Sequence, residues 1–270
     1  MIKYIKELTL NCAKQQGFHL ETFSEGEDLK SFISKLRNSY TGVELIRVGS
    51  LDDGGYLLPS LADNIKYCFS PGVADNADFE EDIYEKYKIK SFLADASVDG
   101  PPKKKNYLDF EKKFVGNNSR NNFITMDSWI DSKLDQEEAH LLMQMDIEGG
   151  EYDALLNMSD TSLQRFDYLL IEFHLLQRLY YRDFLQLADN VFEKLFKNFS
   201  IVHMHPNNCD PLMNYKDVSI PNTLEISFVN KNLIPMLDKA DIDLPHKLDQ
   251  KNIDKDDFIL PEMWWKENSV

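Results

Sequence analysis

The sequence is poor in cysteine, in basic charge, in glycine and in long apolar runs, and each shortage excludes something. Three cysteines in 270 residues, Cys12, Cys68 and Cys209, are far apart and odd in number. They build neither a disulfide framework nor a paired Cys-x-x-Cys zinc site, and they suit a reducing cytosol. Lys and Arg total 30 against 46 Asp and Glu, a net charge of −16. That charge repels phosphate backbones and anionic lipid, so neither a nucleic-acid partner nor a membrane surface is expected. No apolar run approaches the length of a membrane span. Lys6, Glu7 and Asn11 interrupt any signal-peptide core, and a cytoplasmic location is therefore expected. With 11 glycines, the chain also lacks the full G-x-G-x-x-G that cradles a pyrophosphate. There is no internal repeat and no low-complexity stretch.

What is present is an alternation of apolar runs and amphipathic segments. Residues 1–44 read as a helical cap, with Ile2, Ile5 and Leu8, then Leu29, Phe32, Ile33 and Leu36, at helical spacing. An oligomerisation element, giving a homo-oligomer, is the other reading of this region. Asp-Gly-Gly between apolar segments at residues 53–55 signals a hairpin. That hairpin is either plain structure or a lip over a pocket carrying Asp53 and Tyr56. Strands are expected at 65–70, 90–94, 123–126, 141–145, 168–171, 199–202 and 224–229. Helices are expected at 79–87, capped by Asn76 or Asp78, then after an N-cap at Asp127, then over 151–163 and 175–199. The order predicts an α/β fold over 45–233: a Rossmann-like, doubly wound, mostly parallel sheet. The acidic tail, 234–270, is expected to pack on the body through Trp264 and Trp265.

Three of these strands run into ionisable residues: Asp146 and Glu148, Glu172 and His174, His203 and His205. Ligands of open α/β sheets sit at such carboxyl ends. Residues two apart on a strand share a face, so Glu172 joins His174, and His203 joins His205. Carboxylate with imidazole is a donor set for a divalent cation, manganese or iron-like when mixed and magnesium when mostly carboxylate. Structural histidines and salt-bridged acids are the bland alternative. Asn207 and Asn208 suit a hydroxyl-rich ligand or a turn. Gly72, after the first strand, with Asp95 about twenty residues on, has the spacing of a backbone cradle and a ribose-binding acid.

Several stretches resemble the FkbM-type class I methyltransferases, which use S-adenosylmethionine. They are DGGYLLP at 53–59, FSPG at 69–72, Asp95, MDIEGGEYDALLNM at 145–158, LLIEFH at 169–174, HMHPNNC at 203–209 and IPNTLEISFVNK at 220–231. The resemblance spans most of the chain from about residue 45 to 231. It implies an O-methyltransferase acting on a sugar or sugar nucleotide, as in polysaccharide or glycoside biosynthesis. It also implies that Asp95 takes the cofactor ribose, that Ser70 and Gly72 line the methionine end, and that Asp127 lies near the adenine. Asp146 and Glu172, with His174, then hold a divalent metal, magnesium or manganese, that activates the acceptor hydroxyl. His203, His205 or Glu148 is left as the base. Asp53, Tyr56, Asn207 and Asn208 are the candidates for contacting the acceptor. The alternative is a metal-dependent glycosyltransferase using a nucleotide sugar, in which Asp95 has no role.

Overall fold

The computed structural model describes residues 9, 11–17, 23–215 and 217–266. Ile2, Ile5 and Leu8 lie outside them. The first long helix, α1 (Gly26–Asn38), buries Leu29, Phe32, Ile33 and Leu36 along one stripe, as its 3.6-residue spacing predicts. Strands β1 (Ile46–Gly49) and β2 (Gly55–Leu58) form the antiparallel hairpin. After β3 (Tyr67–Pro71), helix α2 (Asp78–Tyr87) and β4 (Lys90–Ala94) come β5 (Leu108–Glu111), β6 (Phe114–Val115) and β7 (Phe123–Ile124). Helix α3 (Met126–Lys133) leads to β8 (Leu141–Met145), and the short helices α4 (Glu151–Asn157) and α5 (Asp160–Leu163) to β9 (Phe166–Phe173). Helix α6 (Arg182–Phe196) precedes β10 (Phe199–Pro206), β11 (Met213–Tyr215), β12 (Val218–Ile220) and β13 (Leu224–Asn230).

Seven of these strands form one sheet in the order β10-β13-β9-β8-β3-β4-β5. Neighbours from β9 to β5 run parallel, and β13 is antiparallel to both β9 and β10. The fold is therefore the Rossmann-like, mostly parallel α/β sheet that the alternation predicted. The chain crosses from β3 outward to β4 and β5, then returns to place β8 on the other side of β3. That reversal opens a crevice between the ends of β3 and β8.

The two faces carry separate cores. Met143, Met145, Leu169, Ile171 and Phe173 pack with Phe32 of α1 and Phe192 of α6 on one face. Leu142, Tyr168 and Leu170 pack under the hairpin and α2 on the other, against Val48, Leu57 and Ile83. Each large apolar side chain buried this way contributes on the order of 2 kcal/mol. The period of two then sends Gln144, Glu172 and Glu225 to the hairpin face. Trp264 is fully buried and its indole N–H donates to the Ser219 carbonyl at 2.9 Å, which anchors the tail.

Two local readings are corrected. The third strand of the sheet is β5, not 123–126, which pairs only with β6 in a separate two-stranded piece. The sequence of β5, Leu-Asp-Phe-Glu, is an edge strand without an apolar run. Helix α3 is capped by Thr125, whose side chain accepts from the Ser128 N–H, and Asp127 sits inside its first turn. Among the described residues no helix is long and apolar enough to cross a membrane.

Candidate functional site

The crevice is set by a close contact between strand ends. Gly72 has φ +84°, and a Cβ there would lie 1.5 Å from the Asp146 carbonyl oxygen. Only glycine lets the turn after β3 approach the end of β8 this closely. On one side of the contact lies a cavity of about 370 Å³, lined by Ala94, Asp95, Val115, Phe123, Ile147 and others. On the other lies a cavity of about 90 Å³ that includes Asp53, Tyr56, Asn76 and Gln144. Gly72, Ala74 and Asp146 line both, so the two are lobes of one cleft.

Asp95 stands where β4 ends and is 6% exposed. Its Oδ2 accepts from the Ala74 N–H at 2.9 Å, and its Oδ1 from the Ser97 N–H at 2.8 Å and the Ser97 hydroxyl at 2.6 Å. These bonds fix the carboxylate against the larger lobe. The exposed rings of Phe114 and Phe123, with centroids 5.6 Å apart, form its apolar wall. The sequence marked Phe123 only as the start of an expected strand, and nothing in it paired that ring with Phe114.

Past β8 the chain turns through Asp146-Ile147-Glu148-Gly149-Gly150 into α4. Glu148 takes φ +56° and Gly149 φ +99°, a left-handed pair that folds the turn back on itself. Glu151, fully buried, holds it there: its Oε1 accepts from the Ile147 and Gly149 N–H groups, both at 3.1 Å. The same oxygen lies 3.1 Å from His174 Nδ1, and the Tyr152 hydroxyl donates to the His174 carbonyl at 2.8 Å. The first turn of α4 thus clamps the histidine at the end of β9. His174 Nε2 then faces three carboxylates, Glu148 at 3.6 Å and Asp146 and Glu172 at 3.8 Å. Burial alone would lower the His174 pKa, but Glu151, Asp146 and Glu148 outweigh it and raise the value above its usual range. Burial pushes the Asp146 carboxyl up to about 7, with His174 opposing and Glu148 adding. Asp146 Oδ1 is buried without a hydrogen-bond partner.

The expected metal set is divided between two cation-sized groupings, Asp146 and His174 in one and Glu172 in the other. Ligand atoms of Asp146, Glu148 and His174 lie within 4.8 Å of one another, and so do those of Asp53, Glu172 and Glu225. Glu148, expected as a base, falls in the first. The second follows from register: Glu225 of β13 lies opposite Glu172 of β9, and His205 of β10 opposite Glu225. Glu225 and the tail residue Asn252, which donates to Glu225 Oε1 at 2.5 Å and to Asp53 Oδ1 at 3.1 Å, were not singled out from the sequence. The alternating strand pattern was the signal available for Glu225.

Several expected site residues are placed elsewhere. His203 and His205 are buried and do not line the cleft: His203 Nε2 is 2.8 Å, and His205 Nδ1 3.7 Å, from Asp249 of the C-terminal tail. Burial alone would lower the His205 pKa, yet Asp249 and Glu225 push it up to about 9. Asn207 donates to Glu172 Oε1 at 2.8 Å and accepts from the Cys209 N–H at 2.9 Å, so it positions a carboxylate. Asn208 brackets Ile253, donating to its carbonyl and accepting from its N–H, both at 3.0 Å. It ties down the tail. Ser70 is fully buried beneath the cleft, hydrogen-bonded to Glu80 and Gln144. Asp127 accepts from the Ser159 N–H and hydroxyl and is absent from the cleft lining. In each case the residue type suits a site, but a partner elsewhere in the fold, side chain or backbone, already engages it. Gly72, Asp95, Asp53 and Tyr56 do line the cleft.

No protein-family model matches the chain, and no curated protein sequence matches it. Solved structures similar to it include the N-methyltransferase NodS from Bradyrhizobium japonicum WM9, 10% identical over 76% of this chain and 94% of that one, with TM-score 0.35. The precorrin-6y C5,15-methyltransferase from Geobacter metallireducens GS-15 is 9% identical over 78% of this chain and 93% of that one, with TM-score 0.32. TrmK of M. capricolum, in complex with S-adenosyl-homocysteine, is 8% identical over 70% of each chain, with TM-score 0.29.

Proposed function

We propose that the chain is an S-adenosylmethionine-dependent O-methyltransferase whose acceptor is a hydroxyl of a sugar or sugar nucleotide. The observation that carries this reading is the cleft itself. A lobe of about 370 Å³ with a fixed carboxylate, Asp95, on its wall adjoins a cluster of acids around His174. Asp95 keeps one lone pair of Oδ2 free for a ribose hydroxyl, and Phe114 and Phe123 offer an apolar wall for a purine. Gly72, by letting the β3 turn close on Asp146, sets the point where the two lobes meet. The donor set of the chain fits an adenosyl ligand in these respects. When bound, that ligand supplies a methyl group already activated as a sulfonium.

Asp146, Glu148 and His174 fit a divalent cation: two carboxylates, one imidazole and a buried, unpartnered Asp146 oxygen. These three residues would hold it, and it would supply acidity to a bound hydroxyl. Glu151 keeps His174 Nδ1–H engaged, which leaves Nε2 facing the cluster. The acids around it orient the acceptor and take up positive charge. Positioning supplies most of the acceleration in such a displacement.

Calorimetry with S-adenosyl-homocysteine tests the first half: binding is expected, and Asp95→Ala is expected to weaken it. Absence of binding, with a nucleoside diphosphate and manganese binding instead, would favour the glycosyltransferase reading. Incubating the protein with a panel of sugar nucleotides and following methyl transfer by mass spectrometry, before and after stripping divalent metal, tests the second half. Undiminished transfer by protein shown metal-free by elemental analysis would remove the cation from the proposal.

A further inference from the structure

Beneath the smaller lobe runs a line of buried polar side chains that the chemistry above does not use. Ser70 hydrogen-bonds Glu80, and its hydroxyl lies 2.7 Å from Gln144 Oε1. Gln144 Nε2 donates to the Tyr56 hydroxyl at 2.9 Å. Glu80 is 2% exposed, Ser70 0%, Gln144 6% and Tyr56 5%. Glu80, Gln144 and Tyr56 border the lobe.

Proton counting restricts this line to two states. A hydroxyl carries one proton, so Ser70 cannot donate to both Glu80 and Gln144. If Ser70 donates to Gln144 Oε1, Glu80 must donate to Ser70 and is therefore a neutral acid. Gln144 then donates to Tyr56, whose own proton is free to leave the chain. If the Gln144 amide is turned over, every bond reverses: Tyr56 donates to Gln144, Gln144 to Ser70, and Ser70 to an ionised Glu80. The second state buries a carboxylate charge without a buried cation beside it. Lys103, the cation nearest in influence, is committed to Asp78 and Glu81 at the surface. Cys68 and Asp78, the other ionisable groups around Glu80, add no positive charge. Burying an unpaired charge costs far more than turning an amide, so the first state prevails.

We propose that Glu80, Ser70, Gln144 and Tyr56 form one directed hydrogen-bond chain, with a neutral Glu80 at its buried end, that presents the Tyr56 hydroxyl as a donor to the carboxylate of the cofactor's amino-acid end. The last step rests on the methyltransferase reading. The two lobes meet at Gly72, so a ligand with its ribose at Asp95 sends its 5′ substituent across Gly72 towards Tyr56. That substituent is a zwitterion. Among the described residues Tyr56 has no acceptor for its proton and matches the carboxylate. Asp53 on the same wall suits the ammonium. Tyr56 is thus a positioning residue for the cofactor, and Glu80 acts through it.

Infrared difference spectra of the wild-type protein against Glu80→Gln decide the direction of the chain without any ligand. Loss of a protonated-carboxyl carbonyl band at neutral pH is expected. Loss of the paired carboxylate bands instead would overturn the proposal. Binding of S-adenosyl-homocysteine and of methylthioadenosine, which lacks the amino-acid end, decides the role of Tyr56. Tyr56→Phe is expected to weaken the first about tenfold, one charge-assisted hydrogen bond, and to leave the second within about twofold. Gln144→Glu accepts at both ends and turns the Tyr56 proton inward, so it is expected to match Tyr56→Phe. A purely structural role would not separate the two ligands. Unchanged S-adenosyl-homocysteine affinity in folded Tyr56→Phe would overturn the proposal. A wild-type protein that does not bind S-adenosyl-homocysteine would defeat the methyltransferase reading, and the infrared result would still fix the chain's direction.

Discussion

Two carboxylate–imidazole clusters stand side by side at the strand ends, built from the same kinds of residue. In one, His174 meets Asp146, Glu148, Glu151 and Glu172 at the mouth of the cleft. In the other, His203 and His205 meet Asp249 under the C-terminal tail, with Glu225 beside them. The first has more acid than base, an unpartnered carboxylate oxygen and an open side. The second is closed, and its acid comes from a segment that covers it. The difference teaches that residue type and strand position nominate both clusters equally, while the covering segment decides which one meets a ligand. Each prediction below breaks one cluster and asks whether activity or stability responds.

The largest effect is expected at the open cluster. Asp146→Asn keeps the shape of the side chain but removes its charge. Methyl transfer is expected to fall on the order of a thousandfold, the several kcal/mol that charge stabilisation at such a centre supplies. Cofactor affinity, set mainly by Asp95 and the larger lobe, is expected to change little. Turnover and calorimetry on the same preparation check both halves. Near-full turnover in this variant would make the open cluster structural.

At the closed cluster the expected loss is in stability. Asp249→Ala leaves two buried histidines without their acid, a cost of about 3 kcal/mol by comparison with broken buried ion pairs. The pH dependence follows from the shifts. Burial would raise the Asp249 pKa, but His203 and His205 hold it well below the carboxylate range. Its contribution is present above the ordinary value of 3.8 and lost as pH falls through the depressed one. His205 is raised, so its contribution is complete below 6.5 and lost as pH rises through about 9. The melting-temperature gap between wild type and Asp249→Ala is therefore expected to be widest between 3.8 and 6.5 and to shrink above about 9. A gap that grows with rising pH would break the assignment. Turnover per folded molecule is expected to survive; its loss would restore His203 or His205 as the base.

Between these lies the support of the open cluster. Glu151→Gln keeps the bonds to Ile147 and Gly149 within reach but weakens the hold on His174. A loss of about 10- to 100-fold in activity or metal affinity is expected, as for other residues that orient a ligand. Burial lowers the His174 pKa and Glu151 leads the groups that raise it, so the variant's value is expected to fall. The acid limb of the turnover profile is then expected to move to lower pH. An unmoved limb with the same loss would assign Glu151 to the turn alone.

Much of this was legible in the sequence, and what was not has physical causes. The order of strands and helices could be read because apolar runs such as 141–145 and 166–173 are buried on both faces and leave a continuous signature. Strand β5 left none, being an edge strand with alternate polar residues. Gly72, Asp95, Asp146 and His174 were legible because the turn chemistry after each strand is written locally. The roles of Asn207, Asn208, His203 and His205 depend on residues 35 to 46 positions away, among them Glu172, Asp249 and Ile253. No local pattern carries such a pairing. Glu225 was hidden for a related reason: its partner across the sheet, Glu172, is fixed by β-sheet register, not by spacing along the chain.

The smallest effect is expected at Asn208, and it bears on the comparison most directly. From the sequence, Asn208 is a hydroxyl-binding amide next to a histidine pair. In the structure it is 4% exposed, and both ends of its amide are spent on the backbone of Ile253. That backbone belongs to the segment carrying Asp249 and Asn252, one closing the sealed cluster and the other bridging Asp53 and Glu225. Asn208→Ala removes two buried hydrogen bonds and leaves two backbone groups that water reaches once the tail loosens, so the expected cost is about 1 kcal/mol. Amide exchange over residues 244–257 is expected to quicken while the sheet is unchanged. If Asn208 instead touched the acceptor, KM for the acceptor would rise and exchange in the tail would not change. If the tail loosens and Tyr56, Asp95 and His174 are undisturbed, turnover at saturating cofactor stays within about twofold, as for substitutions away from the reacting groups. The separation of the two clusters then rests on a strap that this amide holds together with Asp249 and Asn252, although residue type alone had offered it for a sugar or a turn.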